Sequence, residues 1–383
     1  MDATSPTPPP LAPAGATAAA TAAGLEGVIA ADTALSDVDG ARGRLIIAGR
    51  DVETLAATAG FEDGLAALWR AAGLPAADVG AALGAARSRP RRAWPRPATR
   101  STPATAWTRC APPSPTPVTG DLAADAVAVT GAVAVAAAAW LRRRAGAAPL
   151  APDPMAGHAA DYLRLATGAA DAARARALDA YLVTVADHGM NASTFAARVV
   201  ASTGSDVVSA VVAAIGALKG PLHGGAPGPV LDMLDAIGDP ARADAWLRDE
   251  LAAGRRIMGM GHRVYRVRDP RAAVLERALA ALEAAVVTGG AAPATARLAL
   301  ARAVERAATA LLRARRPDRP LCANVEFYTA VLLDAVGLPR QAFTPTFAVG
   351  RVAGWTAHVA EQVRTGRLIR PASRYVGPAV AIG

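Results

Sequence analysis

The sequence predicts an all-α protein with one small β-hairpin near its N-terminus. Three observations predict it. Alanine is abundant while aromatic residues make up only 4% of the 383 residues, and strands prefer branched and aromatic side chains whereas alanine favours closely packed helices. Apolar residues recur at helical spacing over most of the chain. No alternation of strand and helix patterns, and no repeat of 20–50 residues, argues for a layered α/β fold or a solenoid. A chain of this length can bury a large core, in one big domain or two.

The elements follow in order. Residues 1–23 are mostly Ala, Pro and Thr without Arg or Lys, which fits a disordered tail and neither a signal nor a transit peptide. In residues 24–54 two short apolar runs flank "DVDGARG", the pattern of a hairpin. Residues 55–86 read as helices with Gly and Pro breaks. Residues 87–120 change character, with eight prolines, seven arginines and no acidic residue; this excludes a regular helix and predicts a long solvated loop. The uncharged run Ala126–Leu141 is 16 residues long and rich in small side chains, so it reads as a buried helix and not a membrane span. Helical spacing continues at Leu163–Ala166 and Leu178–Val185. Asp206–Leu218 is apolar almost all round, a central buried helix ended by Gly220-Pro221. Amphipathic helices are expected over 230–253, 272–286 and 294–315. Two more are expected at Glu326–Val336 and Ala348–Arg364, stopped by Gly337 and Gly366.

Composition narrows the function. The net charge is +9, but the seven arginines of 87–120 leave only +2 for the rest. A basic excess confined to one Pro-rich stretch, with few interleaved aromatics, argues against nucleic acid as a partner. No membrane partner is expected. Cys110 and Cys322 offer neither a disulfide framework nor metal-ligand spacing, which predicts a reducing, cytoplasmic setting.

Three histidines occupy glycine-flanked turns. His223 lies in "KGPLHGGAPG" (219–228), which also holds the chain's single lysine. His262 lies in "GMGHRVYRVRDPR" (259–271), among Arg263, Arg266, Arg268 and Arg271. His188 lies in "ADHGMNAST" (186–194). All three fall at element ends, where side chains from distant segments can meet. Arginines bind small dicarboxylates through paired hydrogen bonds. Neutral histidines can donate to a carbonyl oxygen and stabilise a forming enol, and a carboxylate can remove the neighbouring proton. "CANVEFYTA" (322–330) supplies Glu326 at a helix start, where the helix N-terminus is expected to lower its pKa and hold it charged.

These residues carry a resemblance. "NASTFAARVVASTGSDVVSAVVAAIGALKGPLHGGA", "GHRVYRVRDPR", "NVEFYTAVLLDAVGLP", "FTPTFAVGRVAGWTAHVAEQVRTGRLIRP" and, near the N-terminus, "GLEGVIAADTALSDVDG" resemble the citrate synthase family over roughly residues 24–86 and 150–378. The resemblance implies a homodimer of two-domain helical subunits. It divides the chain into a large domain (24–225, rejoined by 336–383) and a small domain (226–335) that closes over the substrates. It implies condensation of oxaloacetate with acetyl-CoA, or in close relatives with propionyl-CoA, without metal or cofactor. By the same resemblance His223 steadies the enol, Glu326 is the base and His262 holds and protonates the ketone oxygen. His188, Arg271 and Arg351 bind oxaloacetate, with Arg370 reaching it from the partner subunit. Ile257, Met258, Gly259, Met260, Gly261 and Arg266 lie against CoA. His158 and His358 match no catalytic position and are expected to be structural.

Two departures stand out. The family usually has Asp where this chain has Glu326; the extra methylene moves the carboxylate by roughly an ångström, enough to cost about a hundredfold in rate unless the backbone adjusts. In 87–120 the family carries helices and a segment resembling Met-Asp-Ala-Leu-Arg, where this chain has Ala106-Trp107-Thr108-Arg109-Cys110-Ala111. Codons GCA TGG ACG CGC TGC GCN could encode this stretch, and read one base earlier at the tryptophan they give ATG GAC GCG CTG CGC, the family's segment. The stretch is therefore expected to be translated out of frame between two compensating shifts, which resequencing the DNA would test. Two alternatives stay open: a 2-methylcitrate synthase using propionyl-CoA, and a non-catalytic paralogue that binds CoA or a dicarboxylate.

Overall fold

The computed structural model describes residues 23–25, 27–89, 118–224, 227–288, 294–318 and 321–378. By their contacts they fall into two units. Residues up to 32 hold a single 3₁₀ turn, Ala23–Leu25. All other elements belong to the unit that begins at Thr33.

The expected hairpin is present with a third strand added. Strand β1 (Ser36–Asp39) runs antiparallel to β2 (Arg44–Ile47), with Val38 opposite Leu45, and β2 pairs with the short β3 (Arg50–Asp51). Leu45 and Ile47 alternate inward onto the core, as a half-buried strand requires. Asp51 then caps α1 (Val52–Thr58), its carboxylate accepting the Glu53 N–H. Helix α2 (Phe61–Ala72) ends at Gly73 in the left-handed region, and α3 (Val79–Ser88) starts at the Asp78 cap.

Helix α3 runs past the expected boundary at residue 86. Arg87 is fully buried; its guanidinium donates to Asp161 (2.8 Å), to His158 Nδ1 (3.1 Å) and to the carbonyls of Asp153 and Ala156. The change of character therefore begins after this arginine, whose charge is fully matched inside the fold. Residues 90–117 of the proposed out-of-frame stretch, with Ala106–Ala111 and Cys110, lie outside the described residues.

Helix α4 (Leu122–Arg144), capped by Asp121, extends the 16-residue uncharged run into 23 residues. That is long and apolar enough by composition to cross a membrane. Here it is a mostly buried helix, packed against α3, α5 (His158–Thr167) and two later helices. Helices α6 (Ala172–Val185), α7 (Ala192–Ser202, capped by Asn191) and α8 (Val207–Leu218) follow. The single helix expected over 230–253 is two, α9 (Pro227–Ile237) and α10 (Ala243–Ala252), because Gly238 takes a positive φ of 69° and Pro240 follows it. Helices α11 (Pro270–Thr288), α12 (Ala294–Arg315) and α13 (Val325–Ala335) lead to α14 (Phe343–Thr365). The last begins earlier than expected, since Pro345 sits in its first turn, where a missing N–H costs no helical hydrogen bond.

Helix α14 is buried from Phe343 almost to its end and packs against α2, α4, α6, α7 and α8. Polar links fix its rotation: Trp69 Nε1 donates to Thr356 Oγ1 (3.0 Å), Tyr162 pairs with Thr346 (2.8 Å) and Trp355 Nε1 donates to Ser193 Oγ (3.1 Å). Between α7 and α14 lies a buried ionic chain. Arg198 donates to His358 Nδ1 (3.0 Å), to Gln362 Oε1 (2.9 Å) and to Glu361. With Nδ1 thus accepting, His358 donates through Nε2 to Asp187 (3.2 Å). Burial raises the Asp187 pKa, but His358 and Arg351 outweigh it and hold the group at about 2. The turn that carries His188 is anchored on a fixed negative charge.

Candidate active site

Two loops build one wall of the site. Residues 259–261 run antiparallel to 322–324: the Gly261 N–H donates to Cys322 O (2.7 Å) and the Asn324 N–H to Gly259 O (3.0 Å). Gly259 and Gly261 both have positive φ, and a Cβ at either would lie within 3 Å of Phe327 or Leu321. Only glycine allows this approach. Asn324 caps α13, accepting the Glu326 N–H and donating to Gly261 O. Asp269 completes the wall by receiving Arg271 on both oxygens (3.0 and 2.8 Å) and the Val325 N–H (3.2 Å). His262, Arg271 and Glu326 are thereby held on one rigid frame.

His262 accepts the backbone N–H groups of Val264 (3.0 Å) and Tyr265 (3.2 Å) at Nδ1. Its proton therefore sits on Nε2, which stands 3.5 Å from the Arg271 Nη2. Two donors face each other there, an arrangement that suits a shared acceptor oxygen. Burial and the Arg271 charge push the His262 pKa down to about 4, so the ring is neutral near pH 7. His188 packs 5.7 Å from His262, ring to ring, and its Nε2 meets Tyr265 Oη at 3.1 Å. Burial, Arg271 and Arg351 hold it well below the usual histidine range.

Arg351, on α14, donates through Nε to Val185 O (2.6 Å) and lies over the Phe347 ring. Its terminal N–H groups find no acceptor among the described residues. Burial lowers its pKa to about 10 despite the nearby Asp187. It acts electrostatically on His188, His223 and Glu326 alike, so the sequence-predicted residues converge around it.

His223 follows α8 on a turn closed by Gly224 N–H to Leu218 O (2.9 Å). Its Nε2 lies 2.9 Å from Ser193 Oγ, at the start of α7, and its ring meets Phe347 edge-on. Burial and Arg351 push its pKa down to about 4, leaving a neutral imidazole. Glu326 corrects the expectation of a depressed pKa. Burial pushes it up to about 7, with Arg271 and Arg351 lowering it and Asp269 raising it. Desolvation exceeds the helix N-terminal effect, which is at most ~2 kcal/mol.

Beside this cluster lies a cavity of about 600 Å³ lined by Arg255, Arg256, Arg263, Arg315 and Arg316 around Leu251, Ile257, Met260, Leu312 and Leu321. His262 and Gly261 line it too, so the two spaces adjoin. The sequence motifs pointed to Ile257–Gly261 and to Arg263 beside His262, but not to Arg255, Arg256, Arg315 and Arg316, although "GRR" before Ile257 and "RARR" at the end of α12 were visible signals. Arg266 does not line the cavity; it is exposed, and its N–H donates to Gly40 O. Arg370 is not brought to the cluster either: it is exposed beyond α14, on a segment fastened by Ile369 N–H to Ser202 Oγ (3.1 Å). His158 and His358 are both fully buried in the ionic networks described above. No group of three potential metal ligands occurs among the described residues.

Fold and site together define a helical protein with donors for a small carboxylate anion beside a basic, apolar-floored cavity. A family model, citrate synthase, C-terminal domain, matches residues 24–372, and the chain belongs to that family. It is 50% identical over 211 residues to a putative citrate synthase 2 of Mycobacterium bovis, an alignment covering 55% of this chain. The chain thus spans about half the length of that relative, 54%. It is 38% identical over 369 residues to a 2-methylcitrate synthase of Mycobacterium tuberculosis, covering 92% of this chain and 90% of the relative. Among solved structures it is similar to the ternary complex of carboxymethyl coenzyme A and oxaloacetate with citrate synthase from Thermoplasma acidophilum. That likeness has a TM-score of 0.76 and 28% identity, covering 94% of this chain and 96% of the other.

Proposed function

We propose that this chain condenses an acyl-CoA with oxaloacetate, acetyl-CoA giving citrate and free CoA. The observation that carries the reading is the convergence of three neutral histidines, two arginines and one protonatable carboxylate around a single space next to a five-arginine cavity. Arg271, Arg351 and His188 take up the oxaloacetate carboxylates, and the opposed donors of His262 and Arg271 hold its ketone oxygen. The cavity arginines receive the CoA phosphates while its leucines, Ile257 and Met260 receive apolar parts of the cofactor-like tail. Glu326, with a pKa near working pH, removes the proton from the acyl α-carbon, and His223 donates to the thioester carbonyl as the enol forms. The enol carbon attacks the ketone carbon, and His262 protonates the resulting oxygen. Water then hydrolyses the thioester, releasing citrate and CoA thiol.

The assembly belongs to the same proposal. Residues 226–335 close as a small domain over the rest, the protein works in the cytoplasm as a homodimer, and Arg370 completes the partner's site. The exposed position of Arg370 supports this, as does α8, which leaves Ser209, Val212 and Gly216 exposed along one face. No metal or cofactor is needed by the steps above.

Propionyl-CoA is the second reading, supported by the 2-methylcitrate synthase relative. One methylene in an apolar pocket is worth only about 1–3 kcal/mol. The test follows CoA thiol release from acetyl-CoA and propionyl-CoA with oxaloacetate, with the mass in solution measured alongside. Release is expected from at least one thioester, with loss of release in His223→Ala. A folded dimer that releases thiol from neither, yet binds CoA, would be a non-catalytic paralogue.

A further inference from the structure

Tyr265 was not singled out by sequence reading, yet it contacts both histidines of the dicarboxylate cluster in different ways. Its backbone N–H donates to His262 Nδ1 at 3.2 Å, and its ring centre lies 4.8 Å from the His262 ring. Its hydroxyl meets His188 Nε2 at 3.1 Å. The Arg271 guanidinium stands 5.8 Å over its face. The side chain is 3% exposed, so these contacts are not shared with bulk water.

A neutral imidazole offers one donor and one acceptor, and which nitrogen does which is set by its partners. At His262 the backbone N–H of Tyr265 assigns the acceptor to Nδ1. At His188 the described hydrogen-bond partner of the ring is the Tyr265 hydroxyl, 3.1 Å from Nε2. With that phenol O–H donating, Nε2 accepts and the ring keeps its proton on Nδ1. Tyr265 thus holds His188 through its hydroxyl, which substitution can remove, whereas the His262 tautomer is set by main chain, the N–H groups of Val264 and Tyr265 together.

We propose that Tyr265 is a positioning residue whose hydroxyl sets the orientation and tautomer of His188, and with them the donor that oxaloacetate meets there. This rests on the proposed dicarboxylate site and adds to it a residue that governs oxaloacetate affinity apart from acyl-CoA affinity. It acts through the histidine and needs no contact with the reacting atoms.

Tyr265→Phe tests it, because phenylalanine keeps the ring packing and the backbone N–H and removes only the hydroxyl. Two readouts are taken: the Kd for oxaloacetate by calorimetry, beside the Kd for CoA, and the ¹⁵N shifts of the histidine rings in the unliganded protein. The expected result is an oxaloacetate Kd raised about 3- to 10-fold, the range for one lost hydrogen bond, with the CoA Kd unchanged. The His188 Nε2 resonance moves and the His262 pattern stays. A packing role alone would move neither readout. An unchanged oxaloacetate Kd overturns the positioning role, and an unchanged His188 signal overturns its hydrogen-bond basis. If the unsubstituted protein binds no oxaloacetate, the functional reading itself fails, and an unmoved His188 signal still counts against the tyrosine separately.

Discussion

Arg198 and Arg351 are both almost wholly buried, the first packed against α14 and the second carried on it, and their surroundings differ sharply. Arg198 spends every arm of its guanidinium on α14: His358, Gln362 and Glu361 each accept from it. Arg351 has one described acceptor, the Val185 carbonyl, and burial lowers its pKa to about 10. Asp187 offsets part of the cost of burying Arg351, but terminal donors that meet no described acceptor leave it poised for an anion that arrives from outside. Arg198 holds the scaffold; Arg351 waits for the ligand. Arg87 belongs with Arg198, since Asp161, His158 and two carbonyls consume its donors.

Substitutions can break this contrast. The largest effect is expected at Arg351. Arg351→Gln should weaken oxaloacetate binding by about 100-fold or more in calorimetry, two charge-assisted hydrogen bonds being lost. Its thermal midpoint should stay level or rise, because a buried charge with unfilled donors is gone while Asp187 keeps His358. Arg198→Ala should do the reverse. It strands Glu361 in the core and should cost about 3–5 kcal/mol in urea titration. If instead Arg351→Gln proved the more destabilising of the two, the contrast would collapse.

Smaller effects sharpen it. Arg315→Ala should raise the acyl-CoA KM several-fold and flatten its salt dependence, with the oxaloacetate KM unchanged; equal changes in both would mean that the cavity is not a separate subsite. Asp179 is the carboxylate counterpart of Arg351. Burial, with Glu62 and Asp63 nearby, raises its pKa to about 7 although the Phe61 N–H lowers it. The folded protein then binds this proton more tightly than the unfolded chain, whose pKa is about 4. Stability from this group is complete below pH 4 and falls as pH rises through 7. Asp179→Asn should flatten that fall between pH 5 and 8 in urea titrations.

Much of this was legible in the sequence. The helix order, the hairpin, and the turns carrying His188, His223 and His262 follow from periodicity and from Gly and Pro placement, which are local properties. The family motifs pointed to Glu326, Arg271 and Arg351, which the fold brings near one another. What stayed hidden depends on distant side chains meeting. Nothing near Arg198 in sequence announces His358 or Glu361, 160 and 163 residues away. The arginines of the cavity come from two segments that only the tertiary fold brings together. The Glu326 pKa was misjudged because a helix N-terminus can be seen in sequence whereas the depth of burial cannot. Arg87 was grouped with the Pro-rich stretch because its partners Asp161 and His158 lie on a helix more than 70 residues on.

The central claim is that Glu326, raised to a pKa of about 7 by burial, is the base of an acyl-CoA condensation. The most direct measurement is CoA thiol release against pH, with oxaloacetate and either acetyl-CoA or propionyl-CoA, for the unsubstituted protein and for Glu326→Gln. A base works as its anion, so the rate should rise about tenfold per pH unit below 7 and level off above it. Glu326→Gln should lose about 10²–10⁴-fold in rate while still binding oxaloacetate. Thiol release that is unaffected by Glu326→Gln, or is absent from both thioesters in the folded, oxaloacetate-bound protein, would contradict the account.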